Sequence, residues 1–377
     1  MAALRPLIIF GTRPEAIKLA PLVRACLKHP NVEPTVCVTG QHKEMLQQVN
    51  DYFEIKPDID LELMRPNQTL ATLTSGCVEG IDRTLVDIEP HCVVAQGDTT
   101  TVMASSLTAF YRRIPFVHVE AGLRTGNLLS PWPEELNRRI TSLTANLHCA
   151  PTQRSADNLL AEGVDSAMVH VTGNTVIDAL LWARDKEASQ QAWVDKHSFL
   201  GDRRMVLITG HRRENFGGGF EQMCNAIATL SKKFTDVAFV YPVHLNPNVQ
   251  EPVNQILGDC ENVKLLPPAP YPEFVWLMNR STLILSDSGG VQEEAPSLQK
   301  PVLVMRDTTE RPEAVDAGAV ELVGTDGDTI IERVSLLLTD SDEYGRRQID
   351  ENPYGDGKSS DRIIELILQQ GWSEASA

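Results

Sequence analysis

The sequence predicts an α/β protein of two doubly wound domains, each a parallel sheet with helices on both faces. Two observations carry that prediction. Short apolar runs alternate with longer helical patterns from end to end, the rhythm of parallel strands joined by helical crossovers. The runs also fall into two sets of about six, one in each half of the chain. In such an architecture ligands bind beyond the carboxyl ends of the strands, so a central cleft faced by both domains is the expected site.

Taken in order, the first set of expected strands lies at 6–10, 35–39, 92–96, 116–120, 147–150 and 168–172. The second lies at 205–209, 238–243, 263–266, 283–286, 302–305 and 320–323. The boundary falls within 174–203, which opens with a helical run over 175–188 and continues into a polar segment around Trp193. Near the end, Asn352-Pro353-Tyr354-Gly355-Asp356-Gly357 is a turn cluster. Ser360 or Asp361 then caps a last helix over 362–370.

Composition narrows the function classes. A chain of 377 residues allows two domains of ordinary size. Its net charge of −17 argues against a general nucleic-acid binder, yet leaves room for a local basic pocket. The seven cysteines are scattered and form no C-x-x-C pair, and Cys37, Cys92 and Cys149 sit inside apolar runs as small hydrophobes. A reducing, cytoplasmic setting is expected. No stretch approaches the roughly 20 apolar residues of a membrane span, and residues 1–10 do not read as a signal peptide.

The richest motif is Ser286-Asp287-Ser288-Gly289-Gly290-Val291-Gln292-Glu293-Glu294. An apolar run stops at Ser286, two glycines follow, and a helix starts. Free N–H groups at such a helix start favour an anion, and Glu294 can accept hydrogen bonds from sugar hydroxyls. An ordinary strand-to-helix turn reads the same way. Gly11-Thr12-Arg13-Pro14-Glu15-Ala16-Ile17-Lys18 is a second anion-friendly helix start, with Thr12 as cap, Pro14 in the first turn, and Arg13 and Lys18 as cations. It is neither G-x-G-x-x-G nor a P-loop, so no dinucleotide cofactor is expected.

Several strand ends carry acids or bases. Asp98 either caps the helix that follows it or projects into the cleft. Glu120 ends another strand and needs a partner if buried, for which Arg124 is a candidate. Ser130-Pro131-Trp132-Pro133-Glu134-Glu135 is a Pro-stiffened loop entering a helix. Its acids read either as dipole complements or as placed groups, with Glu134 the better candidate for a placed acid or base. His211 follows a strand of the second half and is either a capping histidine or a site residue; His244 holds a similar place. Arg311, in Thr308-Thr309-Glu310-Arg311, is a candidate diphosphate or hydroxyl contact. No cluster has metal-ligand spacing, and no G-x-S-x-G elbow is present.

Nine ordered segments, GTRPEAIKLAPL, QGDTTT, VHVEAGLRTG, SPWPEELNRR, TGNTVIDALLW, TGHRREN, YPVHLNPNV, SDSGGVQEEAPSL and KPVLVMRDTTERPEA, closely resemble the bacterial non-hydrolysing UDP-N-acetylglucosamine 2-epimerases. The resemblance runs from Phe10 to the NPYGDGK turn. It implies a GT-B-type fold of two Rossmann-like domains, the first at 1–175 joined by the C-terminal helix 358–377, the second at 176–357. It also implies a homodimer and reversible conversion of UDP-GlcNAc to UDP-ManNAc for surface polysaccharide synthesis. The family's catalytic residues match Asp98, Glu120, Glu134 and His211. Its nucleotide and phosphate contacts match Arg13, Lys18, Phe274, Ser288, Gly289, Gly290, Glu294 and Arg311. An activating UDP-GlcNAc site of some members matches Gln41, His42, Arg212 and His244. One departure is Pro267-Pro268-Ala269-Pro270, where relatives often carry Gln, so a uracil contact near Ala269 falls to backbone.

The chemistry fits these residue types. The C2–H of a GlcNAc nucleotide has no adjacent carbonyl and is not acidic. Oxidation at C3 would need NAD; expulsion of UDP instead lets H2 leave and gives a 2-acetamidoglucal. That route asks for cations on the diphosphate and carboxylates on both faces of C2. The alternatives are a hydrolysing 2-epimerase and a GT-B-type UDP-sugar glycosyltransferase.

Overall fold

All twelve expected apolar runs form strands, most of them buried on both faces as a parallel sheet between helices requires, with β7 at an edge partly exposed. The computed structural model describes residues 3–40, 43–63, 65, 68–212 and 217–372, without the side chains of 43–45. Gln41 and His42 therefore lie outside the described residues. The chain forms two compact units. One takes the described residues up to Ala179 together with those from Tyr354 on; the other is Leu180–Pro353.

The strands of the first unit are β1 (Pro6–Phe10), β2 (Thr35–Val38), β3 (Ile59–Asp60), β4 (Cys92–Gln96), β5 (Phe116–Val119), β6 (Leu147–Ala150) and β7 (Val169–Val171). They pair in parallel in the order β3-β2-β1-β4-β5-β6-β7. The two-residue β3 was not expected; it is a short, partly exposed edge strand with no apolar run to announce it. The helices are α1 (Arg13–Lys28), α2 (Lys43–Phe53), α3 (Leu70–Ile88), α4 (Thr100–Arg112), α5 (Glu134–Thr144) and α6 (Gln153–Ala161), and α7 (Thr175–Glu187) begins in this unit and continues into the other after Ala179. Alternate residues of the strands (Leu7, Ile9, Val93, Ala95) pack on Leu73, Cys77, Ile81 and Leu85, which recur at helical spacing along α3.

In the second unit β8 (Arg204–Thr209), β9 (Val237–Pro242), β10 (Val263–Leu266), β11 (Leu283–Ser286), β12 (Val302–Val304) and β13 (Val320–Leu322) form a parallel sheet ordered β10-β9-β8-β11-β12-β13. Its helices are α8 (Gln191–Lys196), α9 (Gly218–Lys233), α10 (Pro247–Leu257), α11 (Tyr271–Arg280), α12 (Gly289–Glu294), α13 (Pro312–Asp316), α14 (Gly327–Thr339) and α15 (Ser341–Arg347). Val206, Ile208, Phe239, Leu283 and Leu285 meet Phe220, Met223, Ile227 and Leu230 of α9 in the core. No helix among the described residues is long and apolar enough to cross a membrane.

The last helix, α16 (Ser359–Gln369), belongs to the first unit. Neither Ser360 nor Asp361 caps it. Its first N–H groups, of Ser359 and Ser360, donate to the Asp178 carboxylate at 3.2 and 2.8 Å, so the cap comes from α7 instead of from the local sequence.

His118 on β5 and His148 on β6 are register partners inside the first sheet. Burial holds both neutral, His118 down to a pKa of about 3 and His148 to about 4. The His118 ring bonds the Gly97 carbonyl through Nε2 at 2.8 Å, whereas neither ring nitrogen of His148 meets a partner among the described residues. An unfolded histidine takes up its proton near pH 6.5. Folded His148 resists protonation until about 4. Stability is therefore lost as pH falls through that window, at about 1.4 kcal/mol per pH unit. We predict that His148→Phe matches the parent within about 1 kcal/mol at pH 7. Between pH 7 and pH 5, urea unfolding should show a drop about 2 kcal/mol smaller than in the parent. An equal drop in both proteins would contradict the assignment.

Candidate active site

Both sheets reverse their winding at a point between two adjacent strands, β1 and β4 in the first unit, β8 and β11 in the second. Loops leaving the carboxyl ends there diverge and open a crevice. Most of the candidate residues leave strands at or beside these two points.

In the first unit, β5 ends at Val119 and Glu120 follows with φ of 62°, a left-handed conformation that costs a non-glycine residue energy. Its carboxylate is buried. Lys18 Nζ lies 2.5 Å from Oε1, Asn174 Nδ2 donates to the same oxygen at 3.0 Å, and Gln96 Nε2 donates to Oε2. Arg124, the partner considered from sequence, is elsewhere: it pairs with Glu162 at 2.7 Å and donates to Ser142 at 2.8 Å. Arg124 lies four residues beyond Glu120, past a turn, where α5 and α6 supply its partners.

Asp98 is not the cap of α4. Thr99 takes that place, accepting from the Val102 N–H at 3.3 Å. The Asp98 carboxylate instead receives Arg138 Nη2 at 2.6 Å and Nε at 2.9 Å, while Asn137 Nδ2 donates to its carbonyl at 2.8 Å. Asp98 and Glu120 leave the paired strands β4 and β5, and a Cβ placed on Gly97 would lie 3.7 Å from Glu120 Oε2. Glu134 opens α5, the helix that also carries Asn137 and Arg138; its Oε2 is buried with no hydrogen-bond partner among the described residues.

Thr12 caps α1 in a capping box with Glu15, and Pro14 sits in the first turn as expected. Glu15 was not singled out from sequence, although T-x-x-E is a readable signal. It is buried, accepts from the N–H groups of Gly11 and Thr12 at 2.9 and 2.7 Å, and receives Thr99 Oγ1 at 2.5 Å. Burial raises its pKa against those bonds. Arg13 is exposed and makes no ion pair with a described residue; Lys18, one turn on, is held by Glu120.

In the second unit Asp287, directly after β11, is fully buried and accepts the N–H groups of His211 and Arg212, both at 2.7 Å. Tyr241 donates to the Gly210 carbonyl at 2.8 Å, fixing the same turn from the next strand. The His211 ring stacks on His244 at 5.4 Å, and its Nδ1 lies 3.4 Å from Asp287 Oδ1. Partial burial lowers the His211 pKa; the Asp287 carboxylate opposes that, and the charges of His244 and Arg212 add to it. His244 is exposed, with Nδ1 accepting from the Asn246 N–H at 3.1 Å.

Ser288 precedes α12, a helix of six residues that starts with Gly289 and Gly290. A Cβ on Gly289 would lie 3.8 Å from Arg212 Nη2, so that guanidinium stands beside the helix start. Glu294 closes the same helix, buried, with Tyr271 Oη 3.4 Å away. Arg311 Nε binds the Glu293 carboxylate, and its Nη1 lies 3.7 Å from Glu310. Phe274 is half-buried on α11, three residues from Tyr271. Asp287, Gln96, Asn174 and Arg138 were not singled out beforehand, because their partners lie too far along the chain for any spacing to reveal. Among the described residues no group of three or more His, Cys, Asp or Glu side chains could hold a metal ion.

Comparison with known proteins fits this geometry. The UDP-N-acetylglucosamine 2-epimerase family model matches residues 24–368. The chain is 55% identical over 369 residues to the UDP-N-acetylglucosamine 2-epimerase of Escherichia coli K12, covering 97% of this chain and 98% of that protein. It is 50% identical to the UDP-GlcNAc 2-epimerase of Neisseria meningitidis, whose crystal structure is bound to UDP-GlcNAc, with a TM-score of 0.90 over 97% of this chain and 100% of that one. The Methanocaldococcus jannaschii UDP-GlcNAc 2-epimerase structure matches with a TM-score of 0.85 at 32% identity, covering 97% of this chain and 100% of that one. The expected GT-B-type α/β class is the class found. The chain belongs to the UDP-N-acetylglucosamine 2-epimerase family.

Proposed function

We propose that this enzyme interconverts UDP-GlcNAc and UDP-ManNAc by eliminating and re-adding UDP. The C1–O bond to UDP breaks, and H2 leaves as a proton to a carboxylate. A 2-acetamidoglucal and UDP result. A proton then returns to the opposite face of C2, and a diphosphate oxygen re-forms the bond to C1. Atoms and electrons balance without an oxidant. The observation that carries this reading is Glu120, a buried carboxylate held in a left-handed backbone just after β5, while Asp98 leaves the end of the paired strand β4. Asp98, Glu120 and Glu134 are the proton-transfer set, since placed carboxylates suit general acid–base work.

The departing diphosphate is assigned to Arg13, Lys18, His211, Arg311 and the N–H groups of Ser288, Gly289 and Gly290. Glu294 is assigned to the sugar or ribose hydroxyls and Phe274 to the nucleoside. Arg311 is anchored by Glu293, which presets its direction, while Arg13 is exposed and makes no ion pair among the described residues. The product feeds surface polysaccharide synthesis, and the enzyme works in the cytoplasm.

Two substitutions separate the halves. Glu120→Gln should lower kcat by about 10²-fold or more while UDP binding, measured by calorimetry, stays within about threefold. Arg311→Ala should raise the UDP Kd by about tenfold or more, the worth of a charge-assisted contact. Unchanged kcat in the first removes Glu120 from the mechanism, and an unchanged Kd in the second removes Arg311 from the phosphate site.

Arg212 and His244, with Gln41 and His42, are assigned to an activating UDP-GlcNAc site. The stacking of His244 on His211 gives such a site a direct path to the reacting end. His244→Ala should turn a sigmoidal substrate curve hyperbolic; a curve hyperbolic in the parent contradicts the assignment. We also assign a homodimer through α3, α4 and α5, where Val86, Phe110, Tyr111 and Leu143 are exposed on neighbouring helices. Light scattering should give twice the 41.7 kDa chain mass, falling to a single chain in Tyr111→Glu.

A further inference from the structure

Beside Glu134 stands a second acid that the proposed reaction does not use. Glu135 is fully buried, with 0% of its surface exposed. A carboxylate so placed must be compensated or it destabilises the fold. The compensation is extensive. Oε2 accepts the Thr125 N–H at 3.1 Å, and Oε1 accepts the Gly126 N–H at 3.3 Å. Arg138 Nη1 lies 3.1 Å from Oε2, and Arg139 Nε lies 3.5 Å from Oε1. Burial works against the charge, but the Thr125 N–H, the Arg138 guanidinium and the Gly126 N–H outweigh it and hold the carboxyl below its usual range.

The direction of these contacts is informative. Arg138 turns Nη1 to Glu135 and directs Nε and Nη2 at Asp98, at 2.9 and 2.6 Å. One guanidinium plane thus spans two carboxylates, and fixing one edge of the plane fixes the other. Glu135 is in turn held by two backbone N–H groups of a loop that Thr125 Oγ1 closes onto the Ser130 carbonyl at 2.6 Å. Asp98 is half-buried in the short link between β4 and α4, and among the described residues its polar contacts to α5, through Arg138 and Asn137, hold its carboxylate and carbonyl.

We propose that Glu135 is a positioning residue, locking Arg138 and through it the carboxylate of Asp98. The proposal rests on the reading of Asp98 as a proton-transfer group. Glu135 touches no reacting atom. Its amide analogue keeps the shape but cannot satisfy both N–H groups and the guanidinium together, so Arg138 loses its reference. A misplacement of about 1 Å at a reacting group can cost about 10²-fold in rate.

The test is a double-mutant cycle on kcat and KM with the full-length protein and UDP-GlcNAc. Glu135→Gln should lower kcat by about 30-fold or more, with KM within about threefold. In an Asp98→Asn background the same change should cost less than about threefold, because nothing remains to be positioned. If the losses multiply in full, Glu135 is merely structural and the proposal is overturned. If Asp98→Asn loses turnover and Glu135→Gln keeps it within about twofold, the proposal falls while the proposed function stands. If Asp98→Asn keeps turnover, the reading of Asp98 fails and takes the proposal with it. Should Glu135→Gln not fold, Glu135→Asp decides: it keeps the charge one methylene short and should still lower kcat by about tenfold, and an unchanged kcat overturns the idea.

Discussion

The ion pair between Lys18 and Glu120 ties together much of the first unit. Glu120 follows the interior strand β5 and is buried, and removing an ion from water costs several kcal/mol unless it is paired and hydrogen-bonded. Lys18 meets it at 2.5 Å from one turn into α1, Asn174 from the residue before α7, and Gln96 from the end of β4. Each of these three contacts fixes one element against the β5 exit. The left-handed backbone at Glu120 is sustained by the same convergence, since a strained φ persists only where its surroundings over-determine it.

The second unit repeats the device with different chemistry. Asp287 follows β11, across the switch point from β8, and its buried carboxylate holds the N–H groups of His211 and Arg212. A carboxylate of one strand end thereby shapes the loop of the next. The imidazole and guanidinium of those two residues are brought to the start of α12 as a consequence. In both units an acid is used first as an organiser of backbone or cations, which is why cationic groups gather there in a chain of net charge −17.

The sequence was legible where the physics is local. All twelve apolar runs became strands because a short apolar run bounded by turn residues is a local strand signal, and only the two-residue edge strand β3 lacked it. The Thr12 cap and Pro14 were readable from adjacent residues. Illegible were pairings set by folding. For Asp98 the sequence left a cap and a place in the cleft both open; Thr99 caps, and Arg138, forty residues on, takes the Asp98 carboxylate. Arg124 was one candidate partner of Glu120, yet Lys18 comes from over a hundred residues away. The cap of α16 comes from Asp178, 182 residues earlier than Ser360. Acids and bases could be placed at strand ends from sequence; which of them meet could not.

The central claim is that proton transfer at C2 accompanies loss and return of UDP. The most direct test is proton NMR of UDP-GlcNAc with the purified protein in deuterated water. The account predicts UDP-ManNAc with deuterium at C2 in both epimers, because the proton removed is exchanged before one is returned. Epimerisation with the C2 proton fully retained, or release of free ManNAc with UDP, would contradict it.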